Sequence, residues 1–272
     1  MVMRIPIWQV DAFTERVFAG NPAAVCTLER WLPDETLRAV AAENALSETA
    51  FLVREGGEGG EYAIRWFTPE VEVDLCGHAT LASGFVVLSV LEPARAAVTF
   101  RSQSGLLGVS RGEGGRLVMT FPRRAPAPVE PPPLLVGALG RRPLETLRAR
   151  DLVAVLDSED AVRAAAPDLA AVAGLDALGL AITAPGSRGA DFVSRYFAPQ
   201  AGVPEDPVTG SAHCTLAPYW AARLGKRRLL AHQVSRRGGV VECEDTGEAV
   251  VLAGRAALYL TGELTLPDAG SR

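Results

Sequence analysis

One carboxylate stands where a proton-transfer enzyme would need it. Glu48 follows a short polar stretch and comes just before the apolar run Ala50–Val53, which is predicted to be a strand. A carboxyl group whose pKa is raised toward neutrality by apolar neighbours is a suitable general acid or base. An ordinary loop glutamate is the alternative interpretation. Glu48 is therefore a candidate acid/base.

Two loops of small residues lead into predicted helices that are apolar on nearly every side. Leu75–His78 opens the first helix and Val208–Ser211 opens the second. A helix start exposes unpaired N–H groups and carries partial positive charge, and glycine allows close approach of a ligand. Gly77 and Gly210 are therefore candidates for binding an anion, most simply a carboxylate. Close packing at a strand-to-helix turn is the alternative role.

The sequence contains an internal duplication. Arg65–Pro69 is echoed 130 residues later by Arg195–Pro199, and Cys76–Ala82 is echoed 135 residues later by Ser211–Ala217. This alignment gives the second copy five extra residues, which fall within Gly202–Pro207. Equivalent positions of two similar halves are expected to meet at their interface.

The alignment assigns partners to the polar residues near each helix start. It matches His78 with His213, and His78 is the stronger candidate for a substrate contact because it is nearer its helix start. Two histidines bonded within the core are the alternative. Asp206 falls in the inserted stretch, which predicts a role on one side of the site only. The aligned part of the second copy offers no carboxylate to match Glu48.

Cysteine and histidine usage argues against thiol and metal chemistry. Cys76 and Cys214 suggest a two-thiol racemase, but the alignment matches Cys76 with Ser211, and two catalytic thiols should occupy equivalent places. Three histidines with no HExxH and no paired-cysteine spacing give weak support for a metal. Without a P-loop or a GxGxxG that opens a helix, we expect no nucleotide cofactor.

Composition favours a soluble, cytoplasmic enzyme. A formal net charge of −5 with scattered Lys and Arg leaves no electrostatic footprint for nucleic acid. The longest apolar stretch without a charge, Cys76–Leu91, is shorter than the roughly 20 residues that span a bilayer. The first residues lack a secretory pattern, and the four cysteines form no tight framework, so a reduced cytoplasmic setting is expected.

The pattern of elements predicts an α+β fold in two halves. Each half is rich in short strands around one helix that is apolar on all sides, so we expect a curved sheet wrapped around a buried helix. A proline-rich stretch at residues 122–133 predicts an extended linker. The boundary is accordingly placed between residues 1–124 and 125–272, with the final segment returning to the first half as an open alternative.

Five blocks in order resemble the phenazine-biosynthesis isomerase (PhzF-like) family within the diaminopimelate epimerase superfamily. The blocks are Asp11–Phe13 with Phe18–Val25, Leu46–Phe51, Arg65–Pro69, Cys76–Thr80 and Glu205–His213. The resemblance implies two pseudo-symmetric domains, each a barrel-like sheet around a central helix. It also implies an active site in the cleft between them, a return of the last strand to the first domain, and a homodimer.

The same resemblance implies site residues and a reaction. A glutamate at the position of Glu48 would shuttle a proton, while His78, Asp206 and Ser211 would act with it by binding and orienting the substrate. Gly77 and Gly210 would present backbone N–H groups, and Asn21 would bind substrate. The best-known family reaction isomerises a dihydro-hydroxyanthranilic acid before phenazine assembly, without a metal or an organic cofactor. An amino-acid racemase or epimerase and a non-catalytic metabolite-binding protein remain the alternatives.

Overall fold

The computed structural model describes residues 2–56 and 60–267 of the chain. The chain divides into two compact units, one formed by Met1–Met119 with Arg255–Arg272 and the other by Thr120–Gly254. The division lies five residues before the predicted one at 124, and the final segment belongs with the first unit.

In residues 2–56 and 60–267, the two units are built of strands and six α-helices. The strands are β1 (Val2–Ala12), β2 (Asn21–Leu28), β3 (Glu48–Arg54), β4 (Tyr62–Phe67), β5 (Glu72–Val73), β6 (Ala97–Ser102), β7 (Gly105–Arg111), β8 (Leu117–Pro122), β9 (Ala127–Pro128), β10 (Glu145–Arg148), β11 (Leu152–Val155), β12 (Leu180–Pro185), β13 (Phe192–Ala198), β14 (Val203–Asp206), β15 (Arg228–Gln233), β16 (Gly239–Asp245), β17 (Ala249–Gly254) and β18 (Ala256–Pro267). The helices are α1 (Asp34–Asn44), α2 (Gly77–Val86), α3 (Pro133–Leu139), α4 (Glu159–Ala164), α5 (Leu169–Ala173) and α6 (Gly210–Leu224).

The sheet of the first unit begins at β18, which pairs antiparallel with β1 along its length. From β1 the order continues through β2, β3, β4, β6, β7 and β8, and β5 is a short strand beside β4. The β2–β3 and β4–β6 pairs are parallel and the others are antiparallel. The parallel β2–β3 pair sets Glu48 opposite Ala23 at the start of both strands.

The sheet of the second unit repeats this order. It runs β9, β10, β11, β12, β13, β15, β16 and β17, with β14 beside β13. The parallel pairs are β11–β12 and β13–β15, in the places that β2–β3 and β4–β6 hold in the first unit. The match of strand order and direction is the structural form of the duplication that the sequence indicates.

Each unit encloses one apolar helix. Nine of the ten α2 residues are buried, and the helix packs against β1, β2, β3 and β7. In the second unit α6 packs against β15, β16 and β17, and Trp220 on this helix is fully buried. A helix that is apolar all round must be enclosed to remove its surface from water, and the curved sheet does this. Within the described ranges, no helix is long and apolar enough to span a bilayer.

Candidate active site

In the first unit, the start of β3 lies against the first turn of α2. Glu48 is the first residue of β3, and His78 is the second residue of α2. The Glu48 Oε2 and His78 Nε2 atoms are 3.1 Å apart, and the two side chains are 14% and 4% exposed. The structure therefore brings the predicted acid/base and the predicted histidine together as a close, largely buried pair.

Cys76 completes this cluster on the other side of the imidazole. Its Sγ atom lies 3.5 Å from His78 Nδ1, and burial raises the pKa of the Cys76 thiol to about 11. Burial by itself lowers the pKa of His78, but the charges of the Cys76 sulfur and the Glu48 carboxylate raise it, and the net pKa lies well above the usual value.

The same three side chains are the metal-ligand candidates in the part of the chain that the structure describes. One ligand atom from each of Glu48, Cys76 and His78 lies within 4.8 Å of the others. The two ring nitrogens, however, face different neighbours, because Nε2 is beside Glu48 and Nδ1 is beside Cys76. A single metal ion binds one nitrogen of an imidazole. The arrangement is therefore a chain of three groups rather than a shell around one point.

Asn21 begins β2 after a constrained loop. Its side chain is fully buried, and the Ser47 hydroxyl donates to its Oδ1 atom at 3.4 Å. Before it, Phe18 has a φ of 70° and its N–H donates to Asp11 Oδ2 at 2.8 Å. At Gly20 the φ is 64°, and a Cβ atom would lie 2.1 Å from the Ala12 carbonyl oxygen, so only glycine fits. Strained backbone of this kind is typical of functional sites.

In the second unit, Asp206 lies at the end of β14 and is 9% exposed. The Thr209 hydroxyl donates to Asp206 Oδ2 at 2.5 Å. The Gln233 amide donates to the Asp206 carbonyl at 2.7 Å and to Thr209 Oγ1 at 3.1 Å, while the Thr209 N–H donates to Gln233 Oε1 at 2.9 Å. This network fixes the turn that leads into Gly210 and Ser211, the first two residues of α6.

His213 differs from His78 in position and in charge. Its Nδ1–H donates to the Thr209 carbonyl at 2.7 Å, and burial lowers the pKa of the imidazole to about 4. In the first unit, the Thr80 hydroxyl makes the equivalent hydrogen bond, which it donates to the Cys76 carbonyl at 2.5 Å. The prediction that His78 and His213 are equivalent is therefore wrong.

The strand and helix starts give the correct correspondence between the halves. Both central helices begin at glycine, Gly77 and Gly210, which are 133 residues apart. His78 therefore corresponds to Ser211 and Cys76 to Thr209, and the predicted pairing of Cys76 with Ser211 is wrong by two residues.

The predicted insertion is corrected by the same comparison. Trp66 pairs with Val73 in the first unit as Tyr196 pairs with Asp206 in the second. Asp206 is thus the counterpart of Val73 and lies outside the insertion. The second copy carries three extra residues rather than five, in the turn that contains the 3₁₀ segment Pro199–Ala201.

Sequence reasoning missed the contacts made by Cys76, Thr209 and Gln233. The sequence suggests Cys76 as a racemase thiol or a small residue at a helix start, and Thr209 as a small residue at a helix start. Their positions immediately before the two glycines were visible in the sequence. Gln233 had no such signal, because it follows Asp206 by 27 residues and reaches it only through the parallel pairing of β13 with β15.

Comparison with known proteins identifies the family. The sequence profile of the phenazine biosynthesis-like protein family (PhzC-PhzF) matches residues 10–262. An uncharacterized isomerase of Pseudomonas aeruginosa is 53% identical over 264 residues, which is 97% of this chain and 100% of that protein. The phenazine biosynthesis-like domain-containing protein 1 of Mus musculus is 38% identical over 288 residues, with 97% and 100% covered.

Solved structures agree with this result. A phenazine biosynthesis protein of the PhzF family from Enterococcus faecalis superposes with a TM-score of 0.91 at 46% identity, covering 96% of this chain and 99% of that one. A hydroxyproline epimerase from Agrobacterium vitis shares the fold at 11% identity, with a TM-score of 0.62 and coverage of 98% and 94%. The predicted epimerase-like α+β fold is thus confirmed, and the chain belongs to the phenazine biosynthesis-like protein family.

Proposed function

We propose that this isomerase of the phenazine biosynthesis-like family moves a proton, and with it a double bond, within a small cyclic or unsaturated carboxylic acid. Glu48 serves as the acid/base, and the reaction uses no cofactor. The observation that supports this most directly is the buried contact between Glu48 and His78, whose pKa is raised by the neighbouring Cys76 and Glu48. A carboxylate with one charged partner and little water is placed to accept a proton from carbon and return it.

The reaction needs no oxidant, because every electron pair stays in the substrate. The Glu48 carboxylate accepts a proton from an allylic carbon, and the electron pair of that C–H bond forms the new double bond. The former double bond supplies the electron pair that then takes the proton back from the Glu48 carboxyl group at a different carbon. The positive charge on His78 stabilises the carboxylate at the beginning and at the end of the cycle.

The remaining predicted residues are assigned to substrate binding. The backbone N–H groups that begin at Gly77 and Gly210 are suited to an anion, and Asn21 and Ser211 supply neutral hydrogen-bonding groups. The Asp206 carboxylate is suited to accept a hydrogen bond from an amino or hydroxyl group of the substrate. Together these groups favour a substrate that carries a carboxylate and a polar substituent.

An amino-acid racemase or epimerase is the second candidate, and the Cys76 thiol beside His78 is the observation in its favour. Two features oppose it. The position that corresponds to Cys76 in the second unit is Thr209, which offers no second thiol. Burial also raises the pKa of Cys76 to about 11, so little thiolate is present near neutral pH. Loss of activity on thiol alkylation, prevented by substrate, would bring this candidate forward.

Incubation with dihydro-hydroxyanthranilic acid and other small unsaturated carboxylic acids in deuterated water tests the proposal. NMR should show deuterium entering carbon positions of one substrate. The Glu48→Gln variant should lose about 10²–10⁴ of the exchange rate, the usual contribution of a general acid/base. Glu43→Gln, an exposed glutamate on α1, is the matched control and should exchange at the normal rate.

Binding measurements on the same variants separate catalysis from structure. Glu48→Gln should still bind the substrate, as followed by calorimetry. If binding is lost as completely as exchange, Glu48 is structural. If the wild-type protein binds a compound of the panel but exchanges none of its protons, the chain is a metabolite-binding protein rather than this isomerase.

A further inference from the structure

Both central helices begin at a residue whose side chain does not cap the helix. Cys76 and Thr209 are the N-cap residues of α2 and α6, both with extended backbone, and neither side chain accepts a hydrogen bond from its own helix. Threonine is a favoured N-cap because its hydroxyl usually accepts a bond from the second or third helical N–H. At Thr209 this ordinary use is absent, so the side chain has a different partner.

The Thr209 hydroxyl donates to Asp206 instead. The Gln233 amide donates to Thr209 Oγ1 at 3.1 Å, which occupies a lone pair and leaves the hydroxyl proton for Asp206 Oδ2 at 2.5 Å. The Thr209 hydroxyl thus accepts from Gln233 and donates to the Asp206 carboxylate oxygen. The Gln233 amide also donates to the backbone carbonyl of Asp206 at 2.7 Å.

The Cys76 side chain turns toward His78 in the corresponding way. Its sulfur lies 3.5 Å from Nδ1, while Nε2 lies 3.1 Å from Glu48 Oε2. A thiol can donate to an unprotonated Nδ1 or accept from a protonated one. Cys76 therefore keeps a partner for the ring in both charge states, which holds the imidazole in place with Nε2 close to Glu48.

We propose that Cys76 and Thr209 are positioning residues, each released from helix capping to hold the site residue beside it, His78 in the first unit and Asp206 in the second. The proposal rests on the function given above, since it assumes that these two residues act on the substrate. It adds that the equivalent residues Cys76 and Thr209 have the same positioning role in the two units, one through a thiol and the other through a hydroxyl.

The competing explanation is that both side chains merely fill buried space, and the chain offers matched controls for it. Cys26 is a fully buried cysteine on β2 in the core of the first unit. Thr215 is a buried threonine on α6 whose hydroxyl has no partner in residues 2–56 and 60–267. Replacing these residues removes the same atoms without touching His78 or Asp206.

Steady-state exchange kinetics give the first test. Cys76→Ala and Thr209→Val should each lower kcat about 10–10²-fold, because displacement of a catalytic group by a fraction of an ångström is enough for losses of this size. Thr209→Ser and Cys76→Ser should recover part of the loss, since a hydroxyl restores a donor and acceptor. Cys26→Ala and Thr215→Val should stay within a factor of about two of the wild type. Equal losses in the controls, or no rescue by serine, would overturn the proposal.

Nitrogen-15 NMR of the imidazoles gives a test that does not depend on turnover. The chain has three histidines, His78, His213 and His232, so assignment by single variants is direct. Cys76→Ala should shift the Nδ1 and Nε2 signals of His78, whereas Cys26→Ala should leave them in place. Unchanged His78 signals in Cys76→Ala would refute the role of Cys76. If the wild type shows no exchange with any acid, the proposed reaction fails, yet this readout still decides whether Cys76 holds His78.

Discussion

The two halves share the order and direction of their strands, but they differ at one equivalent position, where the first half has a candidate acid/base and the second has no side chain. Thr49 pairs with Phe67 on the neighbouring strand, and Leu180 pairs with Phe197 in the same way. The residue before each is therefore equivalent, and Glu48 in the first half corresponds to Gly179 in the second. The candidate base stands where its counterpart has no side chain at all.

Tyr196 explains why the second half cannot carry a side chain there. A Cβ atom on Gly179 would lie 2.3 Å from the Tyr196 hydroxyl. That hydroxyl donates to the buried Asp151 at 3.1 Å, and burial raises the pKa of Asp151. The space that holds the acid/base in one half is thus filled by a structural tyrosine in the other. A duplicated fold becomes asymmetric by exchanging a few residues at one edge.

Other parts of the duplication keep the same chemistry in both halves. Arg65 Nε donates to Glu72 at 2.7 Å and its guanidinium lies 5.1 Å from the centre of the Phe67 ring. Arg195 Nε donates to Glu205 at 2.6 Å and its guanidinium lies 5.0 Å from the Phe197 ring. These pairs hold β5 and β14 beside their neighbours in each unit. These repeated ion pairs are structural, whereas Glu48 and His78 have different residues, Gly179 and Ser211, at the equivalent positions of the second half.

The largest effect is expected at the matched pair His78 and Ser211. His78→Gln removes the positive charge beside Glu48 and should lower kcat about 10²–10³-fold, as loss of one electrostatic stabilising group commonly does. Ser211→Ala removes a neutral group at the equivalent position, so it should raise KM by less than about tenfold with a smaller change in kcat. Proton exchange in deuterated water measures both. Equal losses of kcat in the two variants would contradict the assignment of His78 to catalysis and of Ser211 to substrate binding.

Much of the plan could be predicted from the sequence because it depends on local patterns. Apolar runs predicted the two enclosed helices, and the Arg65 and Arg195 blocks revealed the duplication. The family resemblance implies roles for Glu48 and His78 toward the substrate, and the contact between them is found only in the structure. These features survive because burial and strand pairing constrain whole segments, so no single residue decides them.

The register between the halves could not be predicted in this way. Alignment by identity paired His78 with His213, because two histidines near two helix starts look equivalent. The structure shows that one faces a carboxylate and the other a backbone carbonyl one turn into its helix. Equivalence is set by where the helix begins, which depends on the φ and ψ of Cys76 and Thr209. The packing of Tyr196 against Gly179 could likewise not be predicted, since Gly179 precedes β12 and Tyr196 lies on β13, 17 residues later in the chain.

The next effect concerns charge, because the pKa values of the two histidines are shifted in opposite directions from the usual value. Burial holds the pKa of His213 at about 4, below its unfolded value of about 6.5, so the unfolded chain binds the extra proton. The neutral histidine therefore contributes up to about 3 kcal/mol to the free energy of unfolding above pH 6.5, and this is lost as the pH falls through 4. Urea denaturation against pH should show a smaller acid loss for His213→Gln.

His78 should behave in the reverse manner. Its folded-state pKa is raised, so its contribution to stability is complete below about pH 6.5 and is lost as the pH rises through the folded value. Nitrogen-15 spectra should show His78 titrating above pH 6.5 and His213 still neutral at pH 5. A shared titration near pH 6.5 would contradict the contrast between the two helix starts.

The smallest effect tests the space behind Gly179. Gly179→Ala should cost about 1–3 kcal/mol of the free energy of unfolding, as overpacking of a filled site usually does, because its Cβ atom would lie 2.3 Å from the Tyr196 hydroxyl and 2.4 Å from Cζ. Gly137→Ala is the control, since that helical glycine has open space and alanine favours helix. Urea denaturation measures both. Equal stability of the two variants would mean that Tyr196 yields easily, and that the second half is free to hold a side chain where the first half holds Glu48.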